Sequence, residues 1–111
     1  MRLHLAAFCL AWAAPLALAQ QAPPSFAPPN TTGGGVRAMA ANCASCHGTQ
    51  GRAAPQSSVP GLAGRSRDEL VGMMAQFKSG QRPATVMHQI AKGYSDEEIA
   101  AMADYFSRQS R

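Results

Sequence analysis

The stretch Cys43-Ala44-Ser45-Cys46-His47 contains the chemistry around which the rest of this chain is organised. Its pattern is C-x-x-C-H: two thiols lie within about one helical turn of each other, and an imidazole follows the second thiol directly. This is the attachment pattern of a c-type haem, in which each thiol forms a thioether to the porphyrin and the histidine lies beneath the iron. The spacing therefore predicts one covalent haem on Cys43 and Cys46, with His47 as the first axial ligand.

A C-x-x-C pair by itself has two other interpretations, a thioredoxin-like redox pair and half of a zinc site. The first requires a βαβ context, and the second requires further cysteine or histidine at ligand spacing. The chain offers neither, since its remaining cysteine is Cys9 and its other histidines are His4 and His88. Covalent haem is therefore the preferred interpretation.

Residues 1–19 have the anatomy of an export signal. Arg2 supplies the positive start, an apolar stretch runs over residues 5–18, and Ala17-Leu18-Ala19 is a small-x-small cleavage site. A membrane span needs about 20 apolar residues, whereas this stretch is shorter and contains Pro15. We expect a signal peptide cleaved after Ala19, a mature chain without a transmembrane anchor, and a periplasmic location, because c-type haem is attached outside the cytoplasm.

Residues 20–35 are rich in proline and glycine, lack periodicity and contain one aromatic residue, Phe26. Such a composition buries too little surface to offset the entropy of ordering, so we expect a disordered tether. A docking arm anchored by Phe26 is the alternative. Residues 36–111 then form one small domain, and a domain of this size needs a large cofactor to complete its core.

Hydrophobic periodicity predicts three main helices in this domain, because apolar residues recur three times at i, i+3, i+4 and i+7. The three sets are Val36, Met39, Ala40 and Cys43; Leu70, Met73, Met74 and Phe77; and Ile99, Met102, Ala103 and Phe106. Capping boxes at residues 66–69 and 95–98 predict where the second and third helices begin. Gly48 and Gly80 predict where the first and second end. No stretch alternates as a strand would, so the predicted fold class is all-α.

The segment 49–65 is rich in glycine and proline and is expected to form an irregular loop along one edge of the haem. Within it, Leu62 is placed to pack on the porphyrin. The carbonyl of Pro60 is free to accept a hydrogen bond from Nδ1–H of His47, which would fix the imidazole tautomer and raise its basicity. The sequence equally allows Pro60 to be only a turn residue.

Met87 is the predicted sixth ligand of the iron. The other methionines beyond the signal peptide lie in predicted helices, mostly on apolar faces, where methionine usually fills gaps. Met87 instead lies between Pro83 and Gly93, in chain expected to be non-helical and long enough to reach over the haem. His88 is the rival, since imidazole also binds haem iron and would give a centre of lower potential.

The remaining composition argues against catalysis by side chains and against nucleic-acid binding. The chain has neither paired carboxylates nor a Ser/His/Asp arrangement, so we expect no catalytic residue and no enzyme activity of its own. Its formal net charge of +4 is mild, and no basic stripe is interleaved with aromatic residues. Lys78, Arg82 and Lys92 flank the Met87 segment and could steer an acidic partner, although scattered solubilising charge explains them equally well.

Several stretches together resemble class I cytochromes c. They are Cys43 to Gly48, Pro60 to Gly64, Ala84 to Ser95 and Ile99 to Phe106. More narrowly, the chain resembles the haem-binding cytochrome subunit of flavocytochrome c sulfide dehydrogenase, in a single-haem form because it has one C-x-x-C-H. The resemblance runs from about Ala38 to Gln109 and leaves out only the signal peptide and the tether.

This resemblance implies a small class I cytochrome c fold, with irregular loops and three main helices around one haem c, and Met87 as the distal ligand. The implied activity is transfer of single electrons. The donor would be the FAD-containing flavoprotein subunit of a sulfide dehydrogenase, and another cytochrome or a terminal acceptor would follow. A freely diffusing periplasmic carrier serving other dehydrogenases or oxidases is the alternative. A peroxidase-like enzyme would instead need an open sixth position on the iron.

Overall fold

The computed structural model describes residues 31–111. The predicted signal peptide and most of the predicted tether, including Phe26, lie outside the described residues. The described part is all-α and without strands, as predicted. Its elements are α1 (Gly33–His47), a 3₁₀ turn (Thr49–Gly51), α2 (Arg67–Ser79), α3 (Met87–Lys92) and α4 (Asp96–Ser107). Helices α1, α2 and α4 are the three main helices that periodicity predicts, and none of the described helices has the length and apolarity that a membrane span requires.

Helix α1 begins earlier than the sequence predicts. It includes Gly33–Gly35, which the predicted boundary at residue 35 assigns to the tether. The hydroxyl of Thr32 caps the helix by accepting a hydrogen bond from the Gly35 amide at 3.4 Å. Gly35 is also buried, so the N-terminal cap and burial together overcome the poor helix propensity of three consecutive glycines.

The prediction that Met87 lies in non-helical chain is wrong, because Met87 is the first residue of α3. This helix has only six residues, and no side chain caps its N-terminus. Six residues are too few to show helical periodicity in a sequence window of about 11–18 residues. The helix is held by packing against α2 rather than by its own propensity.

The helix ends follow the predicted caps, with one difference between the two capping boxes. At α4 the box is complete: Ser95 accepts from the Glu98 amide, and the Glu98 carboxylate accepts from the Ser95 amide. At α2 only half of it forms, because Ser66 accepts from the Glu69 amide while the Glu69 carboxylate pairs with Arg65 at 2.6 Å. The two helices therefore start with different numbers of satisfied donors.

Gly48 ends α1 directly after His47, with φ of 85°. A Cβ atom at this position would collide with the carbonyl of Arg52, so the sharp turn needs glycine for space as well as for its backbone angle. The chain then passes through the 3₁₀ turn, which takes up the first three residues of the predicted loop at 49–65, into irregular chain at 52–66. This loop is tied to α4 by the Gly64 amide, which donates to the carbonyl of Phe106 at 3.0 Å.

The core is a small cluster made by α1, α2 and α4. Its buried members are Ala40, Leu70, Ala103 and Phe106, with Cys43, Leu62, Val71, Met73 and Tyr105 packed against them. Among the described residues no large side chain is completely buried. The protein side chains alone therefore do not complete this core, which is what a small domain built around a bulky cofactor should show.

Candidate haem site

One large cavity of about 670 Å³ lies beside this core. Pockets that hold small-molecule cofactors are typically about 300–1,000 Å³. The end of α1, the irregular loop, α2 and α3 all contribute to its wall. The structure brings together every residue that the sequence assigns to the site: Cys43, Cys46, His47, Pro60, Leu62 and Met87.

Helix α1 presents both thiols from its last turns. Cys43 is half-buried and Cys46 is exposed. Burial raises the pKa of the Cys43 thiol; a backbone hydrogen bond lowers this pKa by less, and the charge of a Cys46 thiolate adds the smallest effect, which raises it. Before haem is attached, Cys43 therefore remains a neutral thiol facing the cavity, whereas Cys46 is accessible to solvent.

His47, the last residue of α1, is buried, with 9% of its surface exposed. Its Nδ1 lies 2.6 Å from the carbonyl oxygen of Pro60. A carbonyl can only accept, so Nδ1 carries a proton, and in the neutral ring Nε2 is then the nitrogen with the free lone pair. The imidazole thus has the tautomer that a metal ligand requires, and its ring lines the cavity.

Four methionines line the cavity: Met73, Met74, Met87 and Met102. Met102 is buried at 4% exposure, and Met73 packs against the core cluster, which agrees with the expected role of methionine as a gap filler. Met74 and Met87 are half-buried and are not part of that cluster. Met87 belongs to the cavity wall and His88 does not.

Two arginines that were not predicted to belong to the site, Arg65 and Arg82, also line the cavity. Arg65 donates from Nε to the carbonyl of Gly61 at 2.8 Å and pairs with Glu69, so it ties the loop to α2. Arg82 lies over the ring of Phe77, with its guanidinium carbon 5.3 Å from the ring centroid. Haem carries two carboxylates, so a nearby cation was to be expected, but spacing alone does not say which arginine lies there.

Apolar side chains also face the cavity from the Met87 side. Val86 is 56% exposed and Ile90 is 40% exposed, and both belong to the cavity wall. Exposed apolar side chains around a concave surface mark a ligand site. No cluster of three or more Asp, Glu, His or Cys residues in the described chain could hold a free metal ion. The site therefore fits a large apolar ring system that brings its own iron.

Comparison with known proteins agrees with this geometry. A family model described as cytochrome c oxidase, cbb3-type, subunit III matches residues 30–106. The chain belongs to this family of c-type cytochromes. The cytochrome subunit of sulfide dehydrogenase from Chlorobaculum tepidum is 40% identical over 73 residues, which are 66% of this chain and 64% of the relative.

Two other similar proteins are c-type cytochromes or electron acceptors, and this chain covers different shares of their lengths. A thiosulfate dehydrogenase electron acceptor from Thiomonas intermedia is 34% identical, over 89% of this chain and 39% of its own length. Cytochrome c-554(548) from Halomonas halodenitrificans is 41% identical, over 60% of this chain and 83% of its own length. The chain thus spans less than two thirds of the first two relatives that it matches.

These matches confirm the resemblance on which the sequence interpretation rests. The chain is an electron-transfer cytochrome c that carries covalent haem c, with Cys43, Cys46 and His47 in the attachment region. The predicted fold class is confirmed as well, since the described chain is a small all-helical cytochrome c fold.

Proposed function

We propose that this protein is a periplasmic single-haem cytochrome that accepts electrons one at a time from a sulfide-oxidising flavoprotein. It passes them on to another cytochrome or to a terminal acceptor. The similarity to the sulfide dehydrogenase cytochrome subunit supports this donor. A second relative named as an electron acceptor supports the direction of transfer. The protein itself carries no catalytic residue in this scheme.

In the proposed site, Cys43 and Cys46 form the thioethers, and His47 and Met87 provide the two axial ligands. The Pro60 carbonyl accepts a hydrogen bond from the His47 imidazole. Leu62, in the same loop, belongs to the wall that faces the porphyrin. The observation that carries the assignment is the His47–Pro60 hydrogen bond of 2.6 Å, since it occupies Nδ1 and leaves Nε2 as the nitrogen that can bind iron, on the wall that also holds both thiols.

Haem c supplies a one-electron redox couple, and its potential rises when the ligand opposite histidine is a thioether rather than a second imidazole. The apolar wall excludes water and thereby disfavours the more highly charged oxidised form. Arg82 is available to pair with a haem carboxylate, because within residues 31–111 its guanidinium has no hydrogen-bonded partner. These properties suit an acceptor of electrons from a reduced flavin.

Co-purification tests the proposed donor. The tagged full chain is expressed in its own bacterium, recovered from the periplasm, and scanned in the visible for haem and flavin together. We expect a flavin signal that is stoichiometric with haem. This flavin signal should be lost when the complex is washed at high salt or denatured. Haem recovered from the membrane or cytoplasmic fraction alone would contradict the proposed location.

Free diffusion is the second candidate function, and the match to cytochrome c-554(548) favours it because that relative is covered over 83% of its length. A small cytochrome of this kind needs no bound flavoprotein. Recovery of haem without flavin, in a species that elutes as a stable monomer, would select this candidate over the subunit.

A further inference from the structure

Residues 83–94, which include α3 and Met87, are attached to the rest of the protein by few polar contacts. Their backbone hydrogen bonds are local: Gly93 donates to Ile90, and Tyr94 donates to Ala91. Ala91 is completely buried and anchors the segment by packing. Within residues 31–111, one hydrogen bond joins this segment to a distant element, and its donor is Lys78.

Lys78 lies at the end of α2 and contacts chain on the far side of α3. Its Nζ donates to the carbonyl of Tyr94 at 2.8 Å and to Oδ1 of Asp96, also at 2.8 Å. The Lys78 side chain is 32% exposed and the Asp96 side chain is 86% exposed. The bond to the Tyr94 carbonyl is therefore the less solvated of the two, and a charge-assisted bond of this kind is stronger than a neutral one.

These contacts close a loop around the segment that carries Met87. Lys78 precedes this segment in the chain, and its ammonium bonds the residue at the segment's end, sixteen residues further on. Tyr94 is itself part of the cavity wall. Fixing both ends of a loop reduces the conformations available to the residues between them. Movement of the whole segment, and Met87 with it, away from the cavity is therefore opposed by this bond.

We propose that Lys78 is a positioning residue that keeps Met87 on the haem iron by tying the end of its segment to α2. This inference rests on the proposed ligation by Met87. It also gives Lys78 a different role from partner steering, since its ammonium is already engaged by Tyr94 and Asp96.

The test replaces Lys78 in the haem-loaded full chain with leucine. Leucine keeps aliphatic carbons at this position but cannot donate a hydrogen bond. One readout is the rate at which carbon monoxide binds the reduced protein, because it must displace the sixth ligand. The other is hydrogen exchange of amides in residues 84–94. For Lys78→Leu we expect both rates to rise about three- to tenfold, as loss of one partly solvated charged hydrogen bond implies. Lys78→Arg should restore most of the wild-type behaviour.

Arg108→Leu is the matched control. It removes a cation at the C-cap of α4 that, within residues 31–111, pairs with Asp104 alone, at 2.7 Å, and should leave both rates unchanged. Equal effects of the two leucine variants would overturn the proposal, as would uniform acceleration of exchange in α1, α2 and α4. Faster exchange in residues 84–94 with unchanged carbon monoxide binding would also overturn the proposal, because the tie would then not hold the sixth ligand. Failure of the proposed ligation is distinguished separately, by survival of the far-red sulfur-to-iron band in Met87→Ala.

Discussion

His47 and Met87 line the same cavity, but the helices that carry them differ in length and in hydrogen bonding. His47 ends a helix of 15 residues and is bonded through Nδ1 to Pro60. Met87 begins a helix of six residues that has no side-chain cap. At the scale of single residues, the histidine is fixed before any iron is present, whereas the methionine gains much of its order from the proposed iron bond.

Met87→Ala should abolish the far-red sulfur-to-iron absorption band of the oxidised protein while the haem remains covalently attached. The alanine side chain has no donor atom, and the two thioethers do not depend on the sixth ligand. Absorption spectra of the purified protein, with a denaturing gel stained for haem, check both parts.

Met74→Ala is the matched control, because Met74 is also a half-buried methionine of the cavity wall. The far-red sulfur-to-iron band should persist in Met74→Ala. Loss of the band in Met74→Ala together with its survival in Met87→Ala would move the proposed ligand from α3 to α2.

At the scale of elements, the two helices that begin with Ser-x-x-Glu differ in how many backbone amides their first turn satisfies. Ser95 belongs to a complete capping box, with bonds of 3.2 Å and 2.9 Å that satisfy two donors. Ser66 makes the one corresponding bond, also at 3.2 Å. Helix α4 contains four of the buried residues beside the cavity, so its first turn matters for the core as well.

Ser95→Ala should destabilise the haem-loaded protein by about 1 kcal/mol, since it removes an N-cap. For a domain of this size that corresponds to a fall of roughly 4–8 °C in the midpoint of thermal unfolding. Ser66→Ala should have an effect of similar size, because each serine hydroxyl accepts one amide hydrogen bond at 3.2 Å. Circular dichroism during heating measures both variants, and an unchanged midpoint in either would contradict the capping role of that serine.

At the scale of the whole molecule, the core and the cavity are complementary. The core lacks a completely buried large side chain among the described residues, and the cavity beside it is walled mainly by apolar groups. A folded domain this small has little stability to lose. We therefore expect the haem to supply much of the apolar contact that keeps α1, α2 and α4 together.

The double variant Cys43→Ala, Cys46→Ala should lose the haem and most of its helical circular dichroism at ordinary temperature. Ser45→Ala, which changes the exposed residue between the two thiols, should keep both. A haem-free double variant that retains the full helical signal and a cooperative thermal transition would show that the protein core is sufficient alone.

The sequence predicts this molecule well where a pattern is long or chemically specific. Periodicity identifies α1, α2 and α4, and the C-x-x-C-H spacing identifies the cofactor. Helix α3 is missed because six residues are too few to show a period, and Gly33–Gly35 are missed because a cap and burial override propensity.

Apart from the bond between His47 and the Pro60 carbonyl, which was one of two interpretations of the sequence, the contacts that organise the site are harder to predict than the haem-attachment residues. Lys78 and Arg65 each act on a backbone carbonyl, of Tyr94 and Gly61 respectively. A carbonyl is present at every residue, so no side-chain pattern marks the acceptor. Such contacts depend on how the elements pack, which the order of residues alone does not specify.

The turn at Gly48 has a consequence for how this protein tolerates mutation. Every other amino acid would place a Cβ against the Arg52 carbonyl, one residue after the ligand histidine. A Cβ at Gly72, within α2, would meet no atom within 4 Å. In a library randomised at each of these positions and selected by the red colour of haem-loaded colonies, position 72 should accept many residues, while position 48 should return to glycine.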